Sequence, residues 1–99
     1  MTYRPLPKQV TIKQSAIDGL GLYSTDSLYP GQYLGITHVA NDRFENGYIR
    51  TPLGGFINHS DTPNCEVRED VDRNLMLFTL RQILPNEELT LKYNLYEVD

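Results

Sequence analysis

The sequence predicts a mainly β domain of short strands, with little helix. Three observations carry that prediction. Polar and apolar residues alternate at Gln9-Val10-Thr11-Ile12-Lys13, the period of a half-buried strand. Turn-forming pairs punctuate the chain at Asp18-Gly19, Pro30-Gly31 and Pro85-Asn86. The most apolar run, Leu75 to Leu80, is too short and too closely bounded by turns for a helix, so a buried strand is favoured.

Taken in order, Asp18-Gly19 supplies a turn able to take positive φ. Leu20-Gly21-Leu22-Tyr23-Ser24 then reads as the returning strand, with a glycine where the backbone is bare and something can approach closely. After Pro30-Gly31, Tyr33 to Val39 is a strand rich in aromatic and β-branched residues. Ala40 to Gly55 shows no clear period and reads as a loop insert, and a short turn of helix is expected around Gly55 to His59. Cys65 to Arg68 is a strand leading to the polar turn Asp70 to Asn74, and Glu88 to Tyr93 is the last strand.

Composition bounds the function. A chain of 99 residues is one small domain, 1–99, and buries only about two-thirds of its unfolded surface. With 39% hydrophobic and 22% charged residues it is neither disordered nor fibrous. No apolar stretch approaches the ~20 residues of a membrane span, and the start lacks the hydrophobic core of a signal peptide. No membrane partner is expected, and the expected location is the cytoplasm. The net charge of −4 argues against a nucleic-acid partner and toward a cationic one, although the same balance is common where there is no charged partner. Cys65 is the only cysteine, which rules out an internal disulfide and a cysteine-based zinc cluster within one chain; no metal is expected.

Three segments stand out from this background. Asn58-His59-Ser60-Asp61-Thr62-Pro63-Asn64 is by itself a polar turn, because Asn, Asp and Ser satisfy nearby backbone and Pro fixes φ. Asn86-Glu87-Glu88-Leu89-Thr90-Leu91-Lys92-Tyr93 is by itself a strand with a core tyrosine. Gly19-Leu20-Gly21-Leu22-Tyr23 is by itself a hairpin turn. Three such segments in this order and spacing say more than each alone.

Together they resemble the SET domain, the fold of a large family of protein-lysine methyltransferases that use S-adenosylmethionine, over roughly Val10 to Tyr96. The anchors are Gly19 to Tyr23, Phe56-Ile57-Asn58-His59-Ser60 with Pro63-Asn64-Cys65, and Glu87-Glu88-Leu89-Thr90 with Tyr93. The resemblance implies a β-clip of small curved sheets, whose C-terminal segment, Leu89 to Tyr96, is tucked under the loop Phe56 to Asn64 as a pseudoknot. Such threading is rare. It also implies that cofactor and lysine peptide approach from opposite faces and meet in a narrow channel.

Methyl transfer to lysine needs a neutral amine, yet free lysine, with a pKa near 10.4, is roughly 0.1% neutral or less at pH 7. Burial in an apolar, tyrosine-walled channel and a nearby sulfonium both favour deprotonation. What remains is in-line alignment of nitrogen, methyl carbon and sulfur, so no general base is obligatory. By the resemblance, Tyr93 is the active-site tyrosine that orients the methyl group. Asn58 contacts the amino-acid end of S-adenosylmethionine, where an amide offers a zwitterion both donor and acceptor. His59 meets the adenine edge through its backbone, its alternative being a buried, backbone-bonded histidine. Gly19, Leu20 and Gly21 present backbone to the cofactor, bare enough for close approach.

On the residues alone, Asn64 is expected to tie its loop together, and Glu87 and Glu88 to divide into one structural hydrogen-bonding group and one solvated charge, since neighbours on a strand face opposite ways. Phe56, Ile57, Leu77 and Phe78 read as core, and His38 as structural.

Several positions depart from the family pattern. Asp61 stands where many members carry cysteine, and the domain is expected to lack the flanking zinc-binding segments of many members, since Cys65 is the only cysteine in the sequence. Little chain beyond Tyr93 remains to cover the adenine, leaving Leu95 and Tyr96 or a second subunit, so a homodimer is a reasonable expectation. Thr37 and Leu91 occupy channel positions that are often aromatic, and Tyr48 is a candidate for the missing ring; Thr37, Tyr48, Leu91 and Tyr96 are thus the expected substrate channel. The expected partner is a protein or peptide containing lysine, basic and histone-like if the acidic residues meet it. The competing reading is a SET-like module that binds peptide or cofactor without turnover.

Overall fold

The computed structural model describes residues 6–43 and 47–92. The chain opens with an antiparallel hairpin of β1 (Val10–Gln14) and β2 (Leu20–Ser24), in register from Val10 opposite Ser24 to Gln14 opposite Leu20. Its turn closes where Ser15 N donates to Gly19 O at 2.8 Å, with Gly19 in the left-handed region at φ +49°. The Ser15 hydroxyl reinforces it by accepting from Ile17 N and Asp18 N. This is the turn expected from Asp18-Gly19.

The largest sheet has the order β4-β3-β7-β6, from β3 (Tyr33–Ala40), β4 (Tyr48–Arg50), β6 (Cys65–Glu69) and β7 (Leu75–Thr79), all pairs antiparallel. In β7, Leu75, Leu77 and Thr79 are buried while Met76 and Phe78 alternate to the other face. Phe78 is therefore not core: its ring lies against Tyr33 at 5.4 Å, with the Arg68 guanidinium 4.3 Å from its centre. Leu77 and Ile57 are buried as expected, whereas Phe56 is half-buried.

The segment read as a loop insert holds two elements. Tyr48 to Arg50 is an edge strand on β3, and α1 (Pro52–Gly55) follows directly. The helix starts earlier than the turn expected at Gly55 to His59 because Thr51 caps it, accepting from Gly54 N, and Pro52 fixes φ at its first turn. Thr51 also donates its hydroxyl to Ile36 O and its N–H to Thr37 O, fastening the helix to β3. The contact is close enough that a Cβ on Gly54 would sit 2.4 Å from Thr37 O.

The last strand is shorter than Glu88 to Tyr93, because the segment divides its pairing between two partners. Residues 86 to 89 run along β2: Asn86 N donates to Ser24 O at 2.7 Å, Ser24 N to Glu87 O at 3.0 Å, and Leu89 N to Leu22 O at 2.8 Å. Thr90–Leu91, β8, then pairs in parallel with β5 (Asn58–His59). One core joins these pieces: Val10, Leu22, Leu53, Ile57, Leu89 and Leu91 are all at most 2% exposed and belong to the same apolar cluster. Burial of this apolar surface is the main stabilising term.

Candidate functional site

The Asn58-to-Asn64 loop holds the C-terminal segment from two sides. On one, β5 pairs with β8, and Ser60 N donates to Leu91 O at 2.9 Å. On the other, the buried Asn64 donates through Nδ2 to Glu88 O at 2.8 Å and accepts from Thr90 N through Oδ1 at 2.8 Å. Asn64 does tie the loop, and it ties it to the segment that runs beside it rather than only to itself.

This clasp sets Asn58 over the first hairpin. Its Nδ2 lies 2.9 Å from Glu88 Oε2, 3.1 Å from Ser15 Oγ, 3.1 Å from Asp18 O and 3.3 Å from Leu20 O. Three of the expected cofactor residues, Gly19, Leu20 and Asn58, therefore come together although the motifs lie far apart in sequence. Space beside Gly19 is open, nothing lying within 4 Å of where its Cβ would be, and Leu20 is 53% exposed.

Gly21 has a different reason to be glycine. A Cβ there would stand 2.3 Å from Glu88 Oε2, so the bare face expected to admit a ligand is filled by the Glu88 carboxylate. Glu88 accepts from the Ser15 hydroxyl at 2.8 and 2.9 Å and from the Tyr23 hydroxyl at 3.3 Å, besides Asn58. The adjacent Glu87 is not a solvated charge. It accepts from Arg81 and from Leu84 N, and the Arg81 hydrogen bond holds its carboxyl below the usual glutamate range. Both glutamates are thus bonded, on opposite sides of the strand.

His59 is exposed rather than buried, its Nε2 3.1 Å from Asp61 Oδ1, while its backbone lies in the β5–β8 ladder opposite Leu91. Of the expected channel residues, Thr37 and Leu91 are fully buried. Thr37 Oγ1 lies 2.9 Å from His38 Nδ1, and the Tyr48 ring meets the His38 ring edge-on at 5.9 Å, so Tyr48 and Thr37 share one neighbour. Burial, with the charge of Arg50 beside it, lowers the pKa of His38. Tyr93 and Tyr96 lie outside the described residues. Sequence reasoning passed over Ser15; a serine just before Asp18-Gly19 is an ordinary turn signal, and only the fold brings it to Glu88.

Small sheets meeting on one core, with a parallel β5–β8 ladder clasped by Asn64, define a β fold of the SET type. The chain belongs to that family: the SET domain model matches residues 9–94. Among solved structures, a Plasmodium falciparum protein assigned as a histone methyltransferase, PFL0690c, superposes with a TM-score of 0.70 at 23% identity, covering 89% of this chain and 95% of that one. The methyltransferase domain of human PR domain-containing protein 2 gives a TM-score of 0.69 at 20% identity, over 87% and 77% of the two chains. Curated relatives from two strains of Cryptococcus neoformans, each a histone-lysine N-methyltransferase specific for H3 lysine 36, are 47% identical over 45 residues, or 42% of this chain. The match spans 5% of those relatives' length.

Proposed function

We propose that this domain transfers a methyl group from S-adenosylmethionine to a lysine side chain of a protein substrate. The observation that carries the reading is the meeting of Asn58 with the Gly19–Leu20 turn, an amide and open backbone at one edge of a SET fold. These groups suit the zwitterionic end of the cofactor: the Asn58 donors are taken up within the protein, which leaves Oδ1 as an acceptor.

S-adenosylmethionine supplies an activated methyl on a sulfonium. The chain's own residues do the rest. Asn58 and the backbone of Gly19 and Leu20 hold the amino-acid end, the backbone of His59 meets the adenine, and Tyr93 orients the methyl group. Thr37, Tyr48, Leu91 and Tyr96 shape the channel, whose apolar walls favour the neutral amine. The histone-lysine relatives support a basic, histone-like substrate.

The test is transfer of labelled methyl from S-adenosylmethionine to histone H3 and to total lysate protein, with mass spectrometry of the product. Labelled lysine, lost in Tyr93→Phe while cofactor binding persists, is the expected result. Cofactor binding with no transfer to any protein replaces this reading with a module that binds without turnover.

A further inference from the structure

Asn58 Nδ2 has two hydrogens and four oxygens around it. Two of those oxygens are backbone carbonyls and one belongs to the Glu88 carboxylate, none with a hydrogen to give. The fourth, Ser15 Oγ, directs its own hydrogen to Glu88. Turning the amide over would set Oδ1 against this ring of acceptors, so the amide has one orientation, with Oδ1 turned away from the ring. Ser15 at the same time accepts from Ile17 N at 2.8 Å, tying the carboxylate to the turn that carries Gly19. Among the described residues no basic side chain pairs with Glu88; its side-chain donors are two hydroxyls and one amide. A carboxylate so placed favours a cation beside it.

We propose that Glu88, acting with Ser15, is the positioning residue of the cofactor site: it locks the Asn58 amide so that Oδ1 stands as a fixed acceptor for the α-ammonium group of the bound cofactor. The inference rests on the cofactor reading above and assigns Gly21 as the residue whose missing side chain makes room for the carboxylate.

The experiment compares two ligands by calorimetry on the whole chain, S-adenosylhomocysteine and its analogue lacking the α-amino group. The native protein binds the analogue about tenfold more weakly, the size of one charge-assisted hydrogen bond. Ser15→Ala and Glu88→Ala lose about tenfold for S-adenosylhomocysteine and change little for the analogue. Glu88→Gln, which keeps an oxygen for Asn58, recovers part of the loss. Equal weakening of both ligands in Ser15→Ala, at an unchanged melting temperature, overturns the proposal, as does no change for either. Equal native affinity for the two ligands also overturns it while leaving the cofactor reading intact. A native protein that binds neither ligand removes the cofactor reading itself. Where Glu88→Ala does not fold, Ser15→Ala carries the test, since it deletes one exchangeable hydroxyl from a turn.

Discussion

Three hydrogen bonds join Asn64 and Thr90: Thr90 N donates to Asn64 Oδ1 at 2.8 Å, Thr90 Oγ1 donates to the same oxygen at 3.4 Å, and Asn64 N donates to Thr90 Oγ1 at 3.2 Å. Both residues are buried, so neither set of groups has water as an alternative. Asn64→Ala strands the Thr90 N–H and the Glu88 carbonyl together, and is expected to cost about 2–4 kcal/mol. Urea unfolding gives the value. Asn64→Asp keeps the acceptor but buries a carboxylate with one oxygen against the Glu88 carbonyl, and should cost at least as much as Asn64→Ala at neutral pH; a loss below about 0.5 kcal/mol for Asn64→Ala would show that the clasp adds no stability.

The glycines of the first hairpin separate by mechanism. Gly21→Ala drives a methyl into the Glu88 carboxylate and is expected to destabilise by about 1–3 kcal/mol. Gly19→Ala meets open space but must hold φ +49°, a cost of about 1–2 kcal/mol. Combining each with Glu88→Ala distinguishes them in urea melts: the Gly21 penalty shrinks when the carboxylate is gone, and the Gly19 penalty does not.

Stability depends on pH through His38. Its folded pKa is lowered by burial and by Arg50, so between that value and the ordinary His value of 6.5 the unfolded chain binds a proton that the folded one refuses. Stability is therefore full above pH 6.5 and declines as the pH falls below it. The depressed Glu87 acts in the same direction at lower pH, its contribution being complete above the usual 4.5 and lost as the pH falls through its folded value. Melting temperatures from pH 8 to 3 should show two declines. His38→Gln flattens the first and Arg81→Ala the second; a His38→Gln profile parallel to the native one would refute the assignment.

Cys65 is 0% exposed, and burial pushes its thiol up to about 12. The thiolate is then scarce at neutral pH. Iodoacetamide at pH 8 should leave native protein unlabelled and label it stoichiometrically in urea, as followed by intact mass.

The β class and most strands were legible because they rest on local signals: the alternation from Gln9, the Asp18-Gly19 turn, and the apolar run whose inward residues are Leu75, Leu77 and Thr79. β4 was not legible, because three edge residues carry too little pattern; the helix was misplaced to Gly55 to His59, although Thr51-Pro52, a cap followed by a first-turn proline, was the signal that would have found its start. For the site, Asn58 and Gly19 were named from their motifs and the fold brings them together. Ser15 and the dual bonding of the two glutamates were not, because side-chain partners far apart in sequence leave no local period.

The segment from Asn86 to Leu91 changes partners midway, from β2 to β5. During synthesis, everything it joins is already outside the ribosome while it is still inside. The first hairpin and the Asn58 loop must wait for it, so the candidate site is complete only once this late segment has emerged and paired with both. Contacts this distant in sequence close slowly. Truncations just short of Glu87 should leave a chain whose first hairpin and Asn58 loop are both made and never meet.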